Sequence, residues 1–258
     1  MKSYKLVCGE STEELDVLNP PVSSRSGISV IIATLNEEGC LPELVTQLVL
    51  VLEQVTRFSN FEIIVVDDDS KDQTPMIMDA FAKNGKFLAI HRYGKRNLFS
   101  AIRDGISMAS YSKVLTMDAD LSHPPTLIPK MLLASEEHQI VSGSRFIKGG
   151  GMEGPILLVL GTRFLNEICR IILGLSVKDL GGNFHLFKKS VFEKIDFQFV
   201  TDFGEFSFEL FYRAKQLGLS VKEVPYVYKS REEGKSKKTR VLRTAIIYLK
   251  RAFQLRVV

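Results

Sequence analysis

The sharpest chemical signal in the chain is Asp118-Ala119-Asp120, a carboxylate pair that ends an apolar run from Lys113 to Met117. In extended backbone, residues i and i+2 project to the same side, so both carboxylates can face one ligand. Such a pair suits a hard divalent cation, Mg²⁺ or Mn²⁺, that takes oxygen ligands and bridges nucleotide phosphates. A second acidic group, Asp67-Asp68-Asp69-Ser70, also follows an apolar run. Three consecutive carboxylates cannot converge on one ion, so one of them is expected to accept hydrogen bonds from a base or ribose. Asp69, Ser70 and Asp72 also suit a helix cap ahead of Thr74-Pro75, and the two roles are compatible. His123 could join Asp120 as a ligand, but His123-Pro124-Pro125 fits the start of a helix better, and no second histidine or cysteine nearby supports zinc. Gly149-Gly150-Gly151 is no phosphate loop of the G-K-[S/T] type, and no nucleophile elbow or Cys/His pair is present.

The elements that position these residues follow from periodicity. β-Branched runs at Ile28 to Ala33, Phe61 to Val66, Phe87 to His91 and Lys113 to Met117 predict strands. Between them, Glu37 to Arg57, Thr74 to Asn84 and Asn97 to Tyr111 have helical spacing. This alternation predicts an α/β fold with a mostly parallel, twisted sheet flanked by helices. Ligands of such sheets bind beyond the carboxyl ends of the strands, where Thr34-Leu35-Asn36-Glu37 and both acidic groups fall. Further on, the pattern gives a strand from Gln139 to Ser142 ending at Gly143-Ser144-Arg145, and a helix from Pro155 to Leu173. A strand from Asn183 to Phe187, a helix from Glu205 to Leu217, a strand from Ser220 to Val227 and a helix from Thr239 to Leu255 follow.

The polar residues 1–26 read as a flexible leader, residues 27–238 as one catalytic domain and residues 239–258 as a basic amphipathic helix. The 258 residues carry a net charge of +4. From Lys229 onward, ten Lys/Arg face only Glu232 and Glu233, which gives +8 there and −4 for the rest. That tail could meet anionic lipid. No nucleic-acid-binding motif accompanies it, so nucleic acid is not expected as a partner. Three scattered cysteines suggest neither disulfides nor zinc and fit a reducing, cytoplasmic setting. No segment has the roughly 18 apolar residues that span a bilayer.

In order along the chain, Ser29-Val-Ile-Ile-Ala-Thr-Leu-Asn-Glu-Glu38, Glu62-Ile-Ile-Val-Val-Asp-Asp-Asp-Ser70, Met117-Asp-Ala-Asp-Leu-Ser-His-Pro-Pro125, Gly143-Ser-Arg-Phe146, Asp179-Leu-Gly-Gly-Asn-Phe184 and Arg231-Glu-Glu-Gly-Lys-Ser-Lys237 together resemble the family 2 glycosyltransferases. Within that family the likeness is to the dolichyl- or polyprenyl-phosphate mannose/glucose synthases. The resemblance implies a GT-A fold, a divalent ion (Mg²⁺ or Mn²⁺), and inverting transfer of a hexose, mannose by preference, from a nucleotide-sugar donor to a lipid-phosphate acceptor. UDP-glucose or UDP-N-acetylglucosamine as donor, or a catalytically weak regulatory subunit, are the alternatives. By the same likeness Asn36, Glu37 and Asp67 or Asp68 hold base and ribose. Asp118 and Asp120 serve ribose and metal, Ser122 adds a metal ligand, and Arg145, Arg231, Ser236 and Lys237 form the phosphate-binding set. The family's Asp-Leu-Thr-Gly-Ser-Phe-Arg run reads Asp179-Leu-Gly-Gly-Asn-Phe-His185 here, which puts a partly charged imidazole where an arginine is usual.

Two helices carry apolar sides that suit either a core or a membrane interface. Ile156 to Leu175 sets Leu157, Leu160, Phe164, Ile168, Ile171 and Ile172 opposite Arg163, Asn166, Glu167 and Arg170. The last helix combines Ile246, Ile247, Leu249, Phe253 and Leu255 with Arg240, Arg243, Lys250, Arg251 and Arg256. The expectation is an enzyme peripheral on the cytosolic face of a membrane, where small membrane subunits can add to its anchoring.

Overall fold

A computed structural model describes residues 4–8, 11–14, 25–55, 60–94, 97–198, 206–229 and 241–257. A nine-stranded sheet forms the centre, in the order β10-β7-β9-β6-β3-β4-β5-β1-β2. Its middle consists of β3 (Arg25–Thr34), β4 (Phe61–Asp67), β5 (Phe87–Arg92) and β6 (Tyr111–Asp118), all parallel. Beyond β6 lie β9 (His185–Lys188), β7 (Ile140–Ser144) and β10 (Val221–Pro225). Among the described strands, β9 and β1 (Tyr4–Cys8) run against the others, each antiparallel to its neighbours, and β2 (Ser11–Glu14) forms the edge beyond β1. A short parallel pair, β8 (Gly151–Met152) with β11 (Val227–Tyr228), lies apart from the main sheet.

The middle strands are apolar on both faces, with Val30, Ile31, Ile32, Ile63, Ile64 and Val66 inaccessible to solvent, as expected of a parallel sheet covered by helices. One face is covered by α1 (Leu41–Gln54), α2 (Thr74–Ala82) and α4 (Ile128–Ala134), whose buried residues share a core with Val30, Ile32 and Ile63. The opposite face meets α3 (Leu98–Met108), α5 (Ile156–Leu173), α7 (Phe206–Gln216) and α8 (Val241–Val257) around Ile31, Ile64 and Val66. Gly105 lets α3 lie against the sheet, since a Cβ there would sit 2.5 Å from Ile31 Cγ2. The short α6 (Lys189–Lys194) completes this layer.

Several elements differ from expectation. The leader is not uniformly unstructured: β1 and β2 (Ser11–Glu14) form a hairpin that extends the sheet beyond β5, with Leu6 and Val7 buried. β1 is only five residues long and β2, Ser-Thr-Glu-Glu, is polar, so neither stands out by periodicity, and pairing of β1 with β5 organises the hairpin. The first helix starts at Leu41, not Glu37, because Asn36 has φ +54° and Glu37 to Cys40 form a turn that delivers Pro42 to the first helical turn. The Asp69 to Asp72 stretch caps α2 only in part. Asp72 Oδ1 accepts from Thr74 N–H at 3.0 Å, while the residue at the cap position, Gln73, makes no side-chain bond.

Candidate active site

In-register pairing assembles the site at the carboxyl end of the sheet. Thr34 on β3 faces Asp67 on β4, Ala33 faces Asp118 on β6, and Asp67 faces His91 on β5. The loop after β3 is locked onto the loop after β4 by reciprocal bonds. Asn36 N–H donates to Ser70 Oγ at 2.8 Å, Lys71 N–H donates to Asn36 Oδ1 at 2.8 Å, and Glu37 N–H donates to Thr74 Oγ1 at 2.9 Å. Asn36 and Glu37 thus belong to a loop tied to the one that follows Asp67, and the Asn36 side chain already braces it.

Asp67 and Asp68 are both buried and both met by protein groups. Asp67 accepts from the Ser70 backbone and hydroxyl, and burial nonetheless raises its carboxyl above the ordinary range. Asp68 pairs with Arg92 at 2.9 Å and accepts from Asn97 N–H at 2.8 Å. Arg92, itself buried, also holds Asp104 at 3.1 Å and donates to Ser100 Oγ. Sequence reasoning missed this hub, although Arg92 stands at the end of a strand, where chemistry was sought.

On the other side of β3, Asp118 and Asp120 belong to one tight turn with Leu121 at φ +61°. His123 is buried and takes no part as a charged ligand. Its Nδ1 accepts from Asp118 N–H at 3.0 Å, which puts the proton on Nε2, and burial lowers its pKa, so the ring is neutral. It stacks on Phe184 at 4.9 Å. Asp120 is 8% exposed and its Oδ1 accepts from Ser122 N–H at 3.2 Å. Ser122 Oγ is buried with no partner among the described residues. Among the described residues no group of three or more His, Cys, Asp and Glu side chains gathers to cage a metal. Two carboxylates and one unanswered hydroxyl nevertheless match the oxygen ligands that a hard divalent cation takes.

Reversed β9 supplies what the sequence order hid. Because β9 pairs antiparallel with β6, with His185 opposite Thr116, the residues just before β9 arrive beside Asp118. Asn183 Nδ2 donates to Asp118 Oδ1 at 3.2 Å. His185 is fully buried, bonded at Nδ1 to Ser142 Oγ (3.1 Å) and at Nε2 to Ser207 Oγ (2.8 Å). Burial pushes its pKa down to about 3. It is therefore a neutral core residue, not the partly charged imidazole that its place in the motif suggested.

Arg145, just after β7, has a fork committed to Asp179: Nε at 2.7 Å, a terminal nitrogen at 2.6 Å, and the backbone N–H at 2.8 Å. The guanidinium holds Asp179 below the usual carboxylate range, and Asp179 in turn raises the arginine. In this arrangement Arg145 orders the Asp179 to Asn183 loop instead of presenting its fork to a phosphate. The physical reason is that Asp179, 1% exposed, needs a cation beside it. Arg231, Ser236 and Lys237 lie outside the described residues.

Residues 29–196 match the family model for glycosyl transferase family 2. The chain is 33% identical over 216 residues to a polyprenol monophosphomannose synthase from Mycolicibacterium smegmatis, covering 81% of this chain and 79% of that one. It is also 33% identical to a dolichol-phosphate mannosyltransferase from Pyrococcus furiosus, covering 81% of this chain but 58% of that longer protein. Among solved structures, glucosyl-3-phosphoglycerate synthase from Mycobacterium tuberculosis, in complex with Mn²⁺, UDP and glucosyl-3-phosphoglycerate, superposes with a TM-score of 0.64 at 20% identity, over 89% of this chain and 80% of that one. That likeness shows the GT-A fold. With the acidic strand ends in place and the family model spanning them, the chain belongs to glycosyl transferase family 2.

Proposed function

We propose that the chain transfers a hexose, mannose by preference, from a nucleoside-diphosphate sugar to a dolichyl or polyprenyl phosphate with inversion. The observation that carries this reading is the Asp118 to Ser122 turn, with its two carboxylates and unanswered hydroxyl, in a chain one-third identical to two lipid-phosphate mannosyltransferases. A lipid phosphate is anionic near neutral pH and can attack the anomeric carbon without a protein base. The enzyme's task is then to hold donor and acceptor in line and to stabilise the departing diphosphate. Asp118, Asp120 and Ser122 would hold Mg²⁺ or Mn²⁺, which when bound offsets charge on that diphosphate. Asn36, Glu37 and Asp67 would meet base and ribose, and Arg231, Ser236 and Lys237 would bind the acceptor phosphate. The test is transfer from labelled GDP-mannose, UDP-glucose and UDP-N-acetylglucosamine to polyprenyl phosphate with either cation. Label moving to lipid from GDP-mannose first supports the reading, and no transfer from any donor overturns it.

The same reading places the enzyme on a membrane surface. No helix among the described residues is long and apolar enough to cross one. On α5 the apolar side faces outward: Leu157 is 82% exposed and Phe164 70%, while polar Asn166 is buried and braces Leu180 N–H at 2.8 Å. This favours an interface over a core. α8 packs against α5 and exposes Ile246, Phe253, Lys250 and Arg256, although Leu255 and Arg251 are buried, so these two serve the fold. Sedimentation with anionic vesicles that weakens with salt is expected, and salt-independent or absent binding argues for anchoring through a membrane subunit.

A further inference from the structure

Beside the Asp118 turn but outside the cation set, Asn183 Oδ1 and Tyr226 Oη are also buried with no partner among the described residues. Asn183 is 8% exposed and Tyr226 4%. An ionised carboxylate only accepts, so the contact with Asp118 fixes Nδ2 as the amide end that faces it and Oδ1 as the end left over. The residue cannot easily swing away. Its carbonyl accepts from Thr116 Oγ1 at 2.9 Å, and its neighbour Phe184 is stacked on His123. Tyr226 meets the edges of the same two rings, and its hydroxyl would lie 3.9 Å from a Cβ built on Gly182. Burial keeps its phenol protonated. A buried acceptor left unanswered is costly, so a ligand group that answers it is favoured.

These two atoms are uncharged and hydrogen-bonding, which suits hydroxyl groups better than phosphate. With base and ribose assigned to Asn36, Glu37 and Asp67 on the β3-β4 side, the hydroxyl-bearing part of the donor left for the β9 side of the Asp118 turn is the transferred sugar. From this placement, resting on the donor reading above, we infer that Asn183 determines sugar specificity: Oδ1 accepts a hydrogen bond from a hydroxyl of the hexose, while Nδ2 keeps Asp118 aimed at the cation. Tyr226 supplies a second sugar contact. The serine found here in the motif that this chain resembles presents one short hydroxyl where asparagine offers a separate donor and acceptor.

The full chain and its Asn183→Ala, Asn183→Ser and Tyr226→Phe variants are titrated with GDP and with GDP-mannose in Mn²⁺ by calorimetry, with thermal unfolding as the check on folding. Asn183→Ala should weaken GDP-mannose on the order of tenfold more than it weakens GDP, with Asn183→Ser and Tyr226→Phe smaller in the same direction. In a series of monodeoxymannose donors, one analogue should bind wild type about tenfold more weakly yet bind Asn183→Ala no worse than the parent sugar does. Equal weakening of GDP and GDP-mannose shows that Asn183 acts only through Asp118, and overturns the inference, as does no weakening of either. If Asn183→Ala fails to fold, Asn183→Ser carries the same comparison. Wild-type protein that binds neither ligand, nor UDP and UDP-glucose in the same assay, overturns the donor reading together with this one.

Discussion

On the β3-β4-β5 side of the site the acidic residues are already answered by the protein. Ser70 meets Asp67, while Arg92 and Asn97 meet Asp68. On the β6-β9-β7 side, Ser122 Oγ, Asn183 Oδ1 and Tyr226 Oη are buried with no partner among the described residues. The first region is a largely braced wall, with Asp68 balanced by Arg92 and Asp67 held by the neutral Ser70, and Thr34 Oγ1 is its one buried polar atom without a partner among the described residues. The second holds polar groups whose cost of burial a ligand can recover. The difference teaches that position at a strand end is not enough to assign a role: Asp68, matched by the Arg92 cation, is scaffold, while Asp67, met by the neutral Ser70, keeps a negative charge to offer a ligand.

The largest effect should come from the unanswered side. Asp120→Asn keeps an acceptor for Ser122 N–H but removes charge from the cation set, so kcat should fall on the order of 10³-fold with little change in Tm. Wild-type turnover in that variant, or full activity in excess chelator, would break the assignment of this side to metal and diphosphate. Arg145→Met comes next, because it leaves Asp179 buried and unpaired, at a cost of about 3–5 kcal/mol. Chemical denaturation measures it, and a loss below about 1 kcal/mol would return Arg145 to the ligand-binding set. On the braced side, Asp68→Asn should cost about 1–3 kcal/mol of stability and leave the donor KM nearly unchanged, since Arg92 retains Asp104. A raised KM without loss of stability would instead make Asp68 a nucleotide contact and blur the contrast.

The effect that is smallest near neutral pH concerns His185, which lies behind the unanswered side. Its folded pKa, about 3, lies below the unfolded value near 6.5, so the unfolded chain binds the extra proton between those limits. Stability should be complete above about pH 6.5 and fall as pH drops toward 3, with this residue adding at most about 1.4 kcal/mol per pH unit. His185→Gln should flatten that acid limb. An unchanged slope would show that the imidazole titrates freely and is not the buried neutral bridge between Ser142 and Ser207.

The central parallel strands, the helices between them and the acidic strand ends were legible in sequence, because each rests on local periodicity and on residues a few positions apart. The β1-β2 hairpin was not, since its runs are short and join the sheet only through the pairing of β1 with β5. The family, and the place of Asp118, Asp120 and Ser122 in one turn, could also be read from the chain alone. What only the tertiary structure decided was who meets whom over long separations. Arg145 meets Asp179, and Arg92 joins Asp68 to Asp104. The apolar side of α5 faces outward. Asn183 reaches Asp118 across 65 residues because β9 is reversed, so its beginning and not its end arrives at the site. Strand direction is set by which neighbours bury the strand's two faces and complete its hydrogen bonds, and that is a property of the assembled sheet, not of the segment.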